Sequence, residues 1–268
     1  DLGIATLPNE VYAITGLKLK TQSPLAITFN IELANGAEGY IPPPEQHALG
    51  GYTTWAARTA GLEVKAEPRI VETLLTALEE VAGQPRKPVT VGLGNYAKAI
   101  LSGKPAAYWR LEEMVFPKAQ DSSGNKHPAT YENGIALYLA GAGSGAGITP
   151  KPALIPSEFS AAGEINRAAH FAGGRLKADV KPGKRWSVEF WLWNGLVTSL
   201  RGTTGILLAT DDAQEQLGIT GNSEPAGRLF YSHGTKRFVG KTELQLKEWH
   251  QVALVRDGGE VRVYLDGR

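Results

Sequence analysis

The sequence contains no cysteine. That excludes a disulfide framework, Cys-ligated zinc and thiol chemistry, and it leaves the compartment open. It also lacks an excess of either charge. Lys and Arg number 28 against 27 Asp and Glu, a net charge of +1. A nucleic-acid footprint or an acidic tail needs a sustained surplus of one sign, so both are set aside. No apolar run approaches the ~18 residues of a membrane span, because Gly, Lys or Glu breaks each one. Methionine is almost missing too: Met114 is the one present, and residue 1 is Asp. The last residues, VRVYLDGR, run along an alternating strand into a turn signal. The expectation is a fragment cut from a longer chain, with any leader peptide out of view.

Glycine, in contrast, is abundant, at 32 of 268 residues, and 16 prolines accompany it. Such a density of turn formers points to much β-structure. Hydrophobic residues make up 42%, enough for a core and too much for a disordered chain. Length allows one large domain or two smaller ones.

Along the chain the pattern changes character. Residues 1–83 read as mixed α/β. Glu10 to Thr21 has Val11, Ile14, Leu17 and Leu19 at roughly helical spacing, and Leu25 to Leu33 alternates like a strand after Pro24. The clearest helix is Glu67 to Ala82, with Pro68 in its first turn and Gly83 as its stop. Its apolar stripe comprises Ile70, Val71, Leu74, Leu75, Leu78 and Val81. Residues 84–104 read as a linker with a short helix from Asn95 to Ser102. From 105 to 268 strands and turns dominate: Trp186 to Trp193 alternates, as does Gln251 to Arg256. Asp257-Gly258-Gly259 then turns the chain back into Glu260 to Leu265. Serial hairpins of this kind build an antiparallel β-sandwich.

Several motifs invite chemistry and fail on context. Val89 to Ala97 contains Gly-x-Gly-x-x-Ala, but a dinucleotide site needs a parallel return strand, and Pro105 and Pro117 interrupt the next stretch of chain. The glycine-rich stretch Ala140 to Gly147 lacks the Gly-Lys-Ser/Thr of a phosphate loop and reads as a loop. The histidines, His47, His127, His170, His233 and His250, never fall within four residues of one another, so no local metal pair exists. There is no Gly-x-Ser-x-Gly elbow. Glu189 stands alone on its strand, without the partner that a glycosidase needs.

From Pro105 the chain resembles the LamG-like jelly-roll family, a concanavalin A-like lectin/glucanase sandwich. The residues that carry the resemblance are PAAYWRLEE (105–113), DSSGN (121–125), AAHFAGG (168–174), WSVEFWLW (186–193) and EWHQVALVRDGGEVRVYLDG (248–267). Trp109, Trp191 and Trp249 read as core anchors between the two sheets. The resemblance implies a binding or spacer module with a carbohydrate or protein ligand. Some relatives hold calcium at the sandwich rim, which makes Asp121 or the pair Asp211-Asp212 a candidate ligand. An Asx-turn explains Asp121 equally well. The family continues with further strands after YLDG, so an open sheet edge is expected here.

Residues 1–83 resemble the end of the catalytic domain of neutral/alkaline, non-lysosomal ceramidases, which are zinc amidohydrolases. LPNEVYAITGLKLK (7–20), IELANGAEGYIPPPEQHALGGY (31–52) and VETLLTAL (71–78) carry it. The resemblance implies that Glu10 and Tyr40 are zinc ligands. It places Tyr52, twelve positions after Tyr40, beside the scissile amide. A catalytic zinc needs several protein ligands and an open position. Glu10 would give a hard oxygen, Tyr40 a metal-stabilised phenolate and Tyr52 a hydrogen bond to the developing oxyanion. Without the resemblance, Glu10 reads as a helix-end charge and the tyrosines as half-buried loop residues. The family's zinc-binding histidines have no counterpart before Glu10.

The expectation is therefore part of a ceramidase-like zinc amidohydrolase, acting on a lipid amide, with an appended LamG-like module. This chain by itself should be inactive. The alternative is a non-enzymatic carbohydrate- or protein-binding adhesion protein. Both families work mostly outside the cytoplasm. No nucleic-acid partner and no transmembrane segment are expected.

Overall fold

The computed structural model describes residues 1–89, 92–143, 159 and 165–268. They fold as two compact units. Of the described residues, one holds Asp1–Gly141, 159 and 165–180, and the other holds 142–143 and Lys181–Arg268.

The first unit begins with β1 (Leu2–Thr6), β2 (Glu10–Val11), α1 (Ala13–Gln22) and β3 (Ile27–Ile31). Strands β1 and β3 pair in parallel from Leu2 opposite Ile27 to Thr6 opposite Ile31, with α1 in the crossover. Next come β4 (Tyr40–Ile41), α2 (Pro44–Leu49), a 3-10 turn (Tyr52–Thr54), α3 (Ala66–Ala82) and α4 (Asn95–Ser102). The long helix α3 lays Val71, Leu75 and Leu78 against Ala5, Leu7 and Leu19, and Gly83 closes it in the left-handed conformation. Ile70 and Leu74 flank this cluster. Val81, the last residue of the expected stripe, is 83% exposed, because the helix outruns the surface it packs on.

The expected helix over Glu10 to Thr21 begins three residues late. Glu10 and Val11 are drawn into a short parallel pairing with Tyr40 and Ile41, and the helix starts only after Tyr12. Its buried face also differs from the apolar reading, since it presents Thr15, Lys18 and Leu19. The polar members are there because Glu67, wholly buried at the start of α3, needs them. It accepts 2.9 Å hydrogen bonds from Thr15 Oγ1 and Lys18 Nζ. A buried carboxylate requires such compensation.

The remainder of this unit is β5 (Lys118–Ala119), β6 (Ala129–Tyr131), β7 (Ile135–Ala140), β8 (Arg167–Phe171) and β9 (Leu176–Lys177). They form an antiparallel β5-β6-β9 sheet and a β7-β8 pair. Trp109 packs here, beside Ala119, Ala129, Tyr131 and Ile135, and its Nε1 donates to the His127 carbonyl at 2.8 Å.

The second unit holds β10 (Arg185–Trp193), β11 (Thr203–Ala209), β12 (Glu215–Thr220), β13 (Arg228–His233), β14 (Lys236–Glu243), β15 (Trp249–Asp257) and β16 (Glu260–Leu265). These make two antiparallel sheets, β10-β15-β16 and β11-β12-β13-β14. Leu217, Ile219, Leu229 and Tyr231 of one sheet meet Val252 and Leu254 of the other in a single core. The fold class is thus an α/β segment followed by an antiparallel β-sandwich. Alternation along β10 turns Trp186, Val188, Phe190 and Leu192 inward and sends Trp191 to the opposite face. On β15 the inward residues Val252 and Leu254 put Trp249 on the outer face as well. Of the three expected anchors, none lies between these sheets, and Trp186 takes that place.

Among the described residues, no helix is long and apolar enough to cross a membrane.

Candidate functional site

Three residues far apart in sequence meet at the paired strands β2 and β4. The pairing sets Glu10 directly opposite Tyr40, and parallel neighbours in register point their side chains to the same side of the sheet. The Glu10 amide donates to the Gly39 carbonyl at 3.0 Å, and the Tyr40 amide to the Thr59 carbonyl at 2.6 Å. Gly39 has φ +116°, and a β-carbon there would sit 2.4 Å from that Thr59 oxygen. Only glycine lets the strand pass so close while placing Tyr40 next. Asn9 Oδ1 accepts from the Glu38 amide at 2.8 Å and ties the loop before β4 to the residue before Glu10.

The third member arrives on the 3-10 turn. Gly51, at φ +104°, swings the chain so that Tyr52 faces back. The Tyr40 and Tyr52 hydroxyls lie 3.2 Å apart, with the rings edge to face at 5.4 Å. Two further bonds secure the turn: Tyr12 and Thr53 share a 2.6 Å hydroxyl contact, and the Thr59 hydroxyl donates to the Tyr52 carbonyl. Tyr52 is 57% exposed, so the cluster is open to solvent.

The electrostatics link the three groups. The hydrogen bond to Tyr52, partial desolvation and the negative charge of Glu10 together push the Tyr40 phenol up to about 12. All three oxygen donors are hard, and they fit part of a divalent-metal site. No group of three or more His, Asp or Glu able to hold a metal is present among the described residues. The reading of Glu10 as a helix-end charge does not hold, since no acidic residue stands in the first turn of α1. Sequence reasoning missed Glu32, whose Oε2 accepts from the Val11 amide at 3.2 Å. It also missed Tyr12, Thr53 and Thr59. Each lies in a different segment, with no local pattern to reveal it.

Asp121 is placed elsewhere in the first unit, and its oxygens are engaged by backbone. Oδ1 accepts from the Tyr108 and Ser123 amides and Oδ2 from the His127 amide, all at 2.9 Å. The bond to the residue two positions on is an Asx-turn. Burial alone would raise its carboxyl, but these amides outweigh it and hold the group down at about 2. Asp212 likewise organises its own turn, accepting from Thr210 Oγ1 at 2.6 Å and the Gln214 amide at 3.1 Å. Of the glycine motifs, Thr90 and Val91 of the first and Ser144 to Gly147 of the second lie outside the described residues. The helix after the first, α4, has eight residues.

No protein-family model matches the sequence, and no curated protein matches it. Among solved structures, the chain is similar to domain 4 of AbnA, a GH43 extracellular arabinanase from Geobacillus stearothermophilus, in complex with arabinotriose. The identity is 18% and the TM-score 0.37, over 54% of this chain and 64% of that one. This chain therefore spans less than two thirds of that structure.

Proposed function

We propose that the first unit carries part of the active site of a ceramidase-like zinc amidohydrolase, and that the sandwich is a binding module for carbohydrate or protein. The observation that carries the enzymatic reading is the meeting of Glu10, Tyr40 and Tyr52. The twelve-residue spacing between the tyrosines becomes a 3.2 Å hydroxyl contact, and the glutamate assigned by resemblance faces the same phenol. A further feature agrees. Parallel strands are normally covered on both faces, yet Leu2, Ile4, Ile27, Phe29 and Ile31 on the outer face of β1 and β3 are 48–58% exposed. That suits a segment belonging to a larger layered domain.

In this reading Glu10 and Tyr40 hold the zinc, which would supply Lewis acidity and lower the pKa of water. Glu10 contributes a carboxylate oxygen. Tyr40, protonated in the metal-free protein, must give up its proton on ligation, as metal ligands generally do. Tyr52, freed from its contact with Tyr40, can turn its hydroxyl to an amide carbonyl and donate as charge develops on the oxygen. The substrate would be a lipid amide of ceramide type, met outside the cytoplasm. Further ligands must complete the site, so the 268-residue chain alone should turn over no N-acylsphingosine. Calcium in the jelly-roll region would rest on Asp121 or on the Asp211-Asp212 pair, and would compete with the backbone amides that Asp121 and Asp212 already accept from.

Zinc titration at pH 7, followed by the ring signals of ¹³C-labelled tyrosine, tests this. Tyr40 and Tyr52 should shift together and saturably, and Glu10→Gln should remove the response. Signals that stay still up to millimolar zinc would overturn the metal assignment, and turnover by the chain alone would overturn its expected inactivity.

A further inference from the structure

Tyr52 sits on a segment that shapes itself. The Thr54 amide and hydroxyl both donate to the Gly51 carbonyl, at 3.0 and 2.8 Å, and the Thr59 hydroxyl donates to the Tyr52 carbonyl. These bonds fold the turn without fixing its place against β2 and β4. Other bonds do that. The Tyr40 amide donates to the Thr59 carbonyl, the Tyr40 and Tyr52 hydroxyls meet, and the Tyr12 hydroxyl meets Thr53 Oγ1 at 2.6 Å.

The ties are unequal. The first acts seven residues beyond Tyr52, at the far end of the segment. The second joins the two working hydroxyls themselves, and in the reading above Tyr52 gives it up when Tyr40 becomes a ligand. The third acts on the residue next to Tyr52 and involves neither working hydroxyl. Its footing is firm. Val11 pairs with Ile41, and the Tyr12 carbonyl accepts from the Thr15 amide at 2.9 Å where α1 begins. Tyr12 and Thr53 are half-buried, so water competes less for their hydroxyls. The bond spans 41 residues and ties the turn to the stretch that carries Glu10.

We propose that Tyr12 is a positioning residue: through Thr53, its hydroxyl keeps Tyr52 in place at the site once the contact with Tyr40 is broken. The inference rests on the reading of Tyr52 as the donor to the amide carbonyl. Such a donor must already be aimed when charge develops on the oxygen, and a turn left to swing would lose that aim. Tyr12 need touch no substrate to do this. It acts on Tyr52 through the backbone between Tyr52 and Thr53.

The test uses the metal-free 268-residue chain with ¹³C-labelled tyrosine and phenylalanine. It reads the nuclear Overhauser contact between the rings at positions 40 and 52, which lie edge to face at 5.4 Å. Tyr40→Phe breaks the hydroxyl contact and keeps the ring. The ring contact should persist in that variant. Adding Tyr12→Phe or Thr53→Val should weaken it about fivefold, the weight of one hydrogen bond. Adding both should weaken it little further, and Thr53→Ser, which keeps the hydroxyl, should leave it unchanged. A contact that survives both hydroxyl removals, or that Thr53→Ser weakens as much as Thr53→Val, would overturn the role of Tyr12. So would a contact already lost in Tyr40→Phe, since Tyr12 would then hold nothing by itself. These spectra involve no metal. Tyrosine signals that ignore zinc would remove the metal assignment and leave the Tyr12 result standing, and the reverse holds equally.

Discussion

Glu67→Gln should destabilise the first unit by about 3–5 kcal/mol, the cost of breaking a buried ion pair by removing one partner. The Glu67 side chain is 0% exposed and that of Lys18 11%. Lys18 Nζ reaches both carboxylate oxygens, at 2.9 and 3.2 Å. Without the carboxylate, an ammonium remains between α1 and α3 with no counter-charge. Lys18→Met should cost a similar amount from the other side, since it strands a buried carboxylate whose remaining side-chain donor is Thr15. The double variant Lys18→Met/Glu67→Met should recover most of the loss, because well-packed apolar residues of similar volume can replace such a pair at little cost. Urea unfolding of the four proteins reads this directly. Single variants within about 1 kcal/mol of wild type would mean that the pair is not buried as described.

Leu254→Ala and Val263→Ala form the second expectation. These residues sit opposite each other in the β15–β16 register, and both face the interior of the sandwich. Leu254 is 2% exposed, whereas Val263 is half-buried and lines an open groove between β14 and β16. Leu254→Ala should cost about 2–5 kcal/mol, combining lost transfer energy with an unfilled cavity. Val263→Ala should cost about 1 kcal/mol, because part of its surface is already wet and no closed cavity forms. Thermal unfolding should therefore separate the two variants widely. Equal losses would mean that β16 is covered as fully as β15 and that no groove exists.

Much of the fold was legible in the sequence because its periodicity is local. The helix α4 runs over Asn95–Ser102 as read, α3 starts one residue early, and the β15–β16 hairpin turns at Gly258. Phase and pairing were less legible. Val11 counts towards a helical stripe until Ile41 claims it as a strand neighbour, and that contact spans thirty residues. The tryptophans of WSVEFWLW divide between faces by one-residue steps, so composition cannot say which of them is the core anchor. Lys18 and Glu67 look like surface charges in sequence, since nothing local announces that they will be buried together. At the candidate site, Glu10, Tyr40 and Tyr52 were reached only through a family resemblance. Their supports, Tyr12, Glu32, Thr53 and Thr59, act through single bonds between distant segments, which leave no pattern.

If Glu10, Tyr40 and Tyr52 work as one cluster, the ionisation of Tyr40 shows it most directly. In metal-free protein with ¹³C-labelled tyrosine, its ring signal should report a pKa of about 12. Tyr52→Phe removes the largest cause of that elevation, and Glu10→Gln removes the opposing negative charge. Each should move the midpoint down towards the ordinary phenol value of about 10, with the larger fall in Tyr52→Phe. At about pH 11, midway between the two values, the wild-type ring should still be mostly protonated and the Tyr52→Phe ring mostly ionised. A Tyr40 that titrates near the ordinary phenol value in all three proteins would contradict the cluster and the metal site built on it.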